Sequence, residues 1–295
     1  MNVKEVLTAT VDFFQKHNIP EPRLDAEVLL AELLGMERIQ LYVNFDLPLK
    51  EQEIESFREI VRQRARRVPV AYLTGHKEFM SLDFKVNQHV LIPRPETELL
   101  VEEVINNCRR INLAEPNIVD LGTGSGAIAV SLAHYLPEAR VLGIDISEEA
   151  LQVARLNIRN HGLTDRVKVI RGDLLEPLLR MRKHNVDIVV SNPPYISKEG
   201  MEQLPPEVKQ EPGEALYGGP EGLDFFQRII PQAGKVLKPG GLLALEIGFD
   251  QAEAVKGMLD TTWQDIKVKK DYTGHDRIIL ARRKSDHEGK GLSIR

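Results

Sequence analysis

Asn192-Pro193-Pro194-Tyr195 follows the apolar run Val186-Asp187-Ile188-Val189-Val190-Ser191. Ile188, Val189 and Val190 are β-branched and uncharged, as suits a central parallel strand covered on both faces. Asn192 precedes a proline and is pushed out of the helical region. Pro193 and Pro194 then fix φ and donate no N–H. The product is a stiff turn at a strand's carboxyl end, presenting a side-chain amide and a free backbone carbonyl. Such a corner can hold a planar –NH2 group for alkylation. An ordinary proline-rich turn has the same local sequence, so the tetrapeptide alone leaves both readings open.

A second set of residues could hold a nucleoside. Asp120-Leu121-Gly122-Thr123-Gly124-Ser125-Gly126 lies where a strand gives way to a helix. Glycines there permit close backbone approach and the helix start offers free N–H groups, although a tight turn needs glycine too. The G-x-G-x-G spacing differs from the dinucleotide pattern G-x-G-x-x-G, and no Lys-Ser/Thr pair completes a P-loop. Asp145 ends the following strand, about 20 residues on, where a carboxylate can accept from ribose hydroxyls. Its other reading is a helix cap, a need that Ser147 already fills. After the third strand, Asp173 could accept from an adenine amino group with Leu174 over the ring; Gly172-Asp173 is equally a turn sequence. The histidines at 17, 76, 89, 134, 161, 184, 275 and 287 do not cluster, so no metal site is expected.

These residues need a scaffold, and 295 residues suit one large domain or, better, two. Val3, Leu7, Val11 and Phe14 recur at helical spacing up to Asn18-Ile19-Pro20. A second helix runs from Asp25 to a stop at Gly35, and a third spans roughly Glu51 to Arg67. Residues 1–75 therefore read as a small helical bundle, an architecture that more often recognises a partner than performs chemistry. Loose alternation over residues 76–92 reads as a β-hairpin linker. Pro95-Glu96-Thr97-Glu98 opens a helix with Thr97 or a neighbour as its cap. Arg94 and Glu96 line the site or lock the hairpin, or else form a salt-bridged helix start. From residue 116, strands and helices alternate: Ile118–Leu121, Ala127–Tyr135, Arg140–Ile144, Glu148–Asn160, Val167–Ile170, Val186–Ser191, Leu223–Leu237, Leu242–Ile247, Gln251–Leu259, Lys267–Lys270 and Arg277–Ala281. That alternation predicts an α/β fold, a doubly wound and mostly parallel sheet spanning the domain 93–283, with an antiparallel pair at one edge. Residues 284–295 read as a flexible tail.

Composition narrows the setting. Hydrophobic residues make up 42% and no run approaches the ~18–20 apolar residues of a membrane span. Met1-Asn2-Val3-Lys4-Glu5 lacks a signal-peptide pattern. A single cysteine, Cys108, excludes an internal disulfide and suits a reducing cytoplasm. The net charge of −5 argues against a phosphate backbone as the main substrate. Arg62, Arg64, Arg66 and Arg67 follow Glu51, Glu53, Glu55 and Glu59, which reads as a solvated helix obeying its dipole.

The glycine loop, Asp145 and the Asn-Pro-Pro-Tyr corner together resemble class I S-adenosylmethionine-dependent methyltransferases acting on an amino group conjugated to a π-system. Leu91-Ile92-Pro93-Arg94-Pro95-Glu96-Thr97-Glu98 narrows the resemblance to the HemK/PrmC family. So do Glu211-Pro212 through Ala215-Leu216-Tyr217-Gly218-Gly219, Leu24-Asp25-Ala26-Glu27 and Gly274-His275-Asp276-Arg277. The similarity spans nearly the whole chain. It implies a Rossmann-like sheet of seven strands, S-adenosyl-L-methionine as methyl donor, and class-1 peptide-chain release factors as protein substrates, modified on the glutamine of their Gly-Gly-Gln motif. It assigns the cofactor to Gly122, Thr123, Gly124, Ser125, Gly126, Asp145, Asp173, Leu174 and Asn192. Some relatives carry an aromatic where this chain has Leu174, which weakens ring coverage. No nucleic-acid substrate and no membrane are expected; the competing reading is methylation of an exocyclic amine, adenine N6 or guanine N2.

On this resemblance the chemistry follows. An amide nitrogen is a poor nucleophile because its lone pair is delocalised. The Asn192 side-chain oxygen would accept one N–H of the substrate glutamine and the Pro193 carbonyl the other, with Pro194 stiffening the corner. Tyr195 would pack on the flat amide and exclude water. Fixed carbonyl dipoles help most as positive charge develops on nitrogen.

Overall fold

Asn2 opens the first helix with a reciprocal cap: its Oδ1 accepts from the Glu5 N–H at 2.9 Å, and the Glu5 carboxylate accepts from the Asn2 N–H at 3.0 Å. The computed structural model describes residues 1–182 and 185–285. His184 and His287 lie outside the described residues, as does the tail from 286 onward. Two compact units emerge: Met1–His76 with Pro205–Gln210, and Lys77–Leu204 with the chain from Glu211 onward.

The first unit is helical: α1 (Val3–Lys16), α2 (Pro22–Leu34), α3 (Arg38–Val43), α4 (Glu51–Ala65) and α5 (Val70–Thr74). Gly35, at φ +62°, ends α2 in the left-handed conformation. Phe14, Leu29, Leu30, Leu41 and Phe57 fill the core. The short helices α3 and α5 carry too few turns for a legible period and were not anticipated. The arginine-rich end of α4 also departs from a purely solvated face. Arg64 is buried, donating Nε to Asp25 Oδ2 at 2.7 Å and Nη2 to Glu207 Oε1 at 3.0 Å. Arg67 shares Glu207 at 3.0 Å, whereas Arg62 is exposed. Burial of a cation here is tolerated because every charge is paired.

In the second unit β1 (His76–Phe79) and β2 (Leu82–Lys85) form a two-stranded sheet. Pairing thus ends at Lys85, short of the 76–92 expected; beyond it the chain is irregular, yet Val86, Val90 and Ile92 are still buried. The main sheet follows: α6 (Pro95–Arg110), β3 (Asn117–Leu121), α7 (Ala127–Tyr135), β4 (Arg140–Asp145), α8 (Glu148–Asn160), β5 (Val167–Arg171), α9 (Glu176–Arg180), β6 (Val186–Ser191), α10 (Lys198–Gln203), α11 (Asp224–Val236), β7 (Leu237–Glu246), α12 (Ala252–Gly257), β8 (Trp263–Lys270) and β9 (Asp276–Arg283). Seven strands lie in the order β5-β4-β3-β6-β7-β9-β8. The first five are parallel, and β9 runs antiparallel to both β7 and β8. The edge hairpin is the one anticipated, although β7 and β8 start earlier than their apolar runs suggested.

Each face of the sheet buries its own core. Ile118, Val141, Ile188 and Val190 meet α6 and α7 on one side. Val119, Leu121, Val189 and Leu243 meet α11 and α12 on the other. Strand order runs outward from β3 in both directions, so the topological switch falls between β3 and β6, where such sheets bind ligands. Among the described residues no helix is long and apolar enough to cross a membrane, and no group of His, Cys, Asp or Glu could hold a metal ion.

Candidate active site

The glycine loop and the Asn-Pro-Pro-Tyr corner leave the sheet side by side. Leu121 at the end of β3 lies opposite Ser191 at the end of β6, and Ser191 Oγ donates to the Leu121 carbonyl at 2.8 Å. Gly122 follows with φ +66°, and a Cβ built there would sit 4.0 Å from the Asn192 carbonyl oxygen.

The loop is fastened from the next strand. Asp145 Oδ2 accepts the Gly124 N–H at 2.8 Å, and Oδ1 accepts the Ser147 N–H at 3.0 Å. Burial pushes its carboxyl above the usual carboxylate range while these N–H groups oppose the shift. With the N–H groups of Gly124, Ser147 and Ile146 on it, the carboxylate still keeps an acceptor position for a ligand. Ser147 itself caps α8 by accepting from the Ala150 N–H, as its position suggested. Asp120 received no role from sequence reasoning, yet it is fully buried beneath the loop, with Oδ2 accepting from Thr123 Oγ1 at 2.6 Å. Its other oxygen has no hydrogen-bond partner among the described residues, and burial pushes its pKa up to about 7. Asp173 follows β5 and pairs with Arg228 at 2.5 Å; Leu174 beside it adopts φ +50° and packs against the core.

The corner is fastened from behind. Asn192 Nδ2 donates to Thr97 Oγ1 at 3.0 Å, and Thr97 Oγ1 donates to Glu246 Oε2 at 2.7 Å. The Tyr195 hydroxyl donates to the other oxygen, Oε1, at 3.3 Å. Burial keeps the Tyr195 phenol protonated well above its ordinary value and pushes the Glu246 carboxyl up to about 7. Thr97 therefore does not cap α6: Arg94 is the N-cap residue and the Thr97 hydroxyl is turned inward, because water can satisfy the exposed N–H groups of the helix start, whereas the buried Glu246 carboxylate needs a donor from the protein. Gln251 Nε2 donates to the Tyr195 carbonyl at 3.0 Å and to the Gly222 carbonyl at 3.1 Å. Gly222, at φ +75°, could not carry a side chain, since a Cβ would fall 2.2 Å from the Tyr195 carbonyl oxygen.

Arg94 pairs with the buried Glu211, which also accepts the Ile92 N–H at 3.0 Å. This is a long-range tie between two motif segments, and the salt-bridged helix start is not what forms. Glu96 is exposed; it is Glu98 that accepts the Met80 N–H of the hairpin turn, at 2.7 Å. Sequence reasoning thus gave no role to Glu246 or Gln251 and offered Thr97 only as a helix cap. One signal was available: Glu246 ends the apolar run Leu242-Leu243-Ala244-Leu245, as Asp145 ends Val141-Leu142-Gly143-Ile144.

Comparison with known proteins places this geometry. The PrmC N-terminal domain matches residues 5–75, and a methyltransferase domain matches residues 114–275. A release factor glutamine methyltransferase of Moorella thermoacetica is 45% identical, with 97% of this chain and 100% of that protein aligned. One from Geobacter sulfurreducens is 43% identical over 95% of this chain and 96% of its own length. A methyltransferase structure from Pyrococcus furiosus shares the fold at a TM-score of 0.52 and 19% identity, covering 76% of this chain and 98% of that one. Near-complete alignment at this level of identity, on a sheet with the glycine loop and corner at its switch point, establishes that the chain belongs to the release factor glutamine methyltransferase family.

Proposed function

We propose that this protein transfers the methyl group of S-adenosyl-L-methionine to the side-chain amide nitrogen of the glutamine in the Gly-Gly-Gln motif of class-1 peptide-chain release factors. The carrying observation is the direction of the Asn192 amide. With Nδ2 donated to Thr97, Oδ1 is left as the acceptor for an incoming N–H. The Pro193 carbonyl, in a residue with no N–H of its own, supplies the second acceptor. Holding both hydrogens of the substrate –NH2 in fixed directions turns the nitrogen lone pair towards the methyl donor. The proton shed afterwards is very acidic and needs no strong base.

The residues present fit the cofactor. Asp145 and Asp173 stand at or beside the carboxyl ends of two adjacent parallel strands, Asp120 lies buried beneath the loop, and the loop between Leu121 and Ala127 carries no lysine or arginine. An acidic rim suits a sulfonium-bearing nucleoside and disfavours a phosphate-bearing one. Gly122, Thr123, Gly124, Ser125 and Gly126 would pass along its amino-acid portion, Asp145 would hold the ribose, and Asp173 with Leu174 the adenine. When bound, S-adenosyl-L-methionine supplies the electrophilic methyl and leaves as S-adenosyl-L-homocysteine. Tyr195, hydrogen-bonded through both its hydroxyl and its carbonyl, is rigid enough to flank the substrate amide.

The helical unit is read as the part that recognises the release factor, and a cytoplasmic location accords with such a partner and with one buried cysteine. An exocyclic amine of a nucleic acid would fit the same corner, but a net charge of −5 and 5% aromatic residues give little for a phosphate backbone or stacked base to bind. The test is incubation with labelled S-adenosyl-L-methionine and a release factor, its Gly-Gly-Gln Gln→Ala variant, and duplex or structured nucleic acid. Label on the wild-type factor alone is the expected result. Label on nucleic acid, or on the Gln→Ala factor, would refute it.

A further inference from the structure

An asparagine amide has nearly the same shape at both ends, so its hydrogen bonds alone decide whether oxygen or –NH2 faces a ligand. For Asn192 that decision is made two residues away. Thr97 Oγ1 has one proton to give and touches two partners, Glu246 Oε2 at 2.7 Å and Asn192 Nδ2 at 3.0 Å. An ionised carboxylate can only accept, so the Thr97 proton goes to Glu246. Thr97 must then accept from Asn192, and Nδ2 turns inward. The second oxygen of Glu246 is engaged by the Tyr195 hydroxyl at 3.3 Å, which leaves Thr97 as the carboxylate's link to the amide.

We propose that Glu246, acting through Thr97, is a positioning residue for methyl transfer, whose ionised carboxylate orients the Asn192 amide with Oδ1 towards the substrate –NH2. This rests on the reading of Asn192 as the acceptor for the substrate amide.

A pH dependence follows. With a proton on Oε2, Glu246 donates to Thr97. The Thr97 proton then turns to Asn192, and the amide is stable with oxygen inward and –NH2 outward. A donor then faces the donors of the substrate, and that arrangement is unproductive. The titratable and charged groups around Glu246 are Tyr195 from the corner, Glu96 from α6 and Arg277 on β9. Arg277 favours the ionised form, while Glu96 and burial favour the protonated one. Arg277 is in turn held by Asp271 at 3.1 Å, so its charge is fixed in place. Because burial brings the Glu246 carboxyl up to about 7, the reorientation falls within the range in which the enzyme can be assayed.

The experiment compares wild type, Thr97→Val, Thr97→Ser and Asn192→Ala as full-length chains, each assayed for methyl transfer to a release factor from pH 6 to 8.5. Wild-type kcat is expected to rise with pH through a midpoint near the Glu246 value. Thr97→Val keeps the side-chain volume and removes the hydroxyl. It should lower kcat on the order of 10-fold, leave KM for the methyl donor within about two-fold, and abolish the acid limb. Thr97→Ser should restore both rate and pH profile. A wild-type profile flat between pH 6 and 8 overturns the proposal, and needs no variant to fold. So does a Thr97→Val enzyme with wild-type kcat and limb while Asn192→Ala is inactive. If Asn192→Ala itself retains activity, the assignment of the substrate site fails instead.

Discussion

Asn157 of α8 donates Nδ2 to the Ser125 carbonyl at 2.8 Å, so a helix two elements away holds the end of the glycine loop. The same side chain serves the end of β2, donating to the Lys85 carbonyl at 2.9 Å and accepting the Lys85 N–H at 2.8 Å. Asn157 is fully buried, so each of these backbone groups loses its partner in Asn157→Ala. That variant should lose about 2–4 kcal/mol of stability in urea denaturation. Isothermal titration should also show weakened binding of S-adenosyl-L-homocysteine. Unchanged cofactor affinity would mean that the loop holds its shape without α8.

Asn192→Ala should lose methyl transfer by a factor on the order of 10²–10³, the scale for removing one preorganised polar group. Cofactor affinity should fall far less. Single-turnover transfer to a release factor separates the two; survival of transfer within a few-fold would refute the role given to the side chain.

Glu246 also leaves a signature in stability. Its folded-state pKa of about 7 lies above an ordinary 4.5, so folding takes up a proton. The stabilising contribution is complete below pH 4.5 and is lost as pH rises through 7. Glu246→Gln, which cannot ionise, should therefore gain on wild type between pH 5 and 8, by roughly 3 kcal/mol at most. Asp120 titrates similarly in both proteins and cancels from the difference. Thermal melts across that pH range measure the divergence, and parallel curves would contradict it.

Arg94→Met leaves the Glu211 carboxylate buried and unpaired, at a cost of about 2–4 kcal/mol after allowing for the partly exposed guanidinium. Adding Glu211→Gln should recover more than half of this, since the amide oxygen can still accept the Ile92 N–H. A double-mutant cycle by chemical denaturation gives the coupling directly.

Much of the scaffold was legible because its strands are short apolar runs punctuated by glycine, proline and caps. Val186–Ser191 and Ala127–Tyr135 fall where their residue types put them, and Ser147 caps α8 as read. The short helix α3 was not legible, since six residues give less than two turns of pattern. Of Thr97 or a neighbour, it is the neighbour Arg94 that takes the N-cap position, for a different reason. A threonine near a helix start satisfies local rules for a cap, and only the fold reveals an acceptor 149 residues away. Arg94 repeats the lesson: the nearby acids Glu96 and Glu98 offered a local partner, and Glu211 took it. Local chemistry identifies which groups need partners, while the topology decides which partners arrive.

The bond from Ser191 Oγ to the Leu121 carbonyl ties together the ends of two neighbouring parallel strands. Such strands lie about 4.8 Å apart whatever side chains they carry. With the glycine loop proposed to seat the methyl donor and the Asn192 corner the acceptor nitrogen, the interval between them would be ruled off by the peptide backbone itself. Substitutions in the outer helices or at Leu174 would leave that interval as it is, because none of them alters the spacing of β3 and β6.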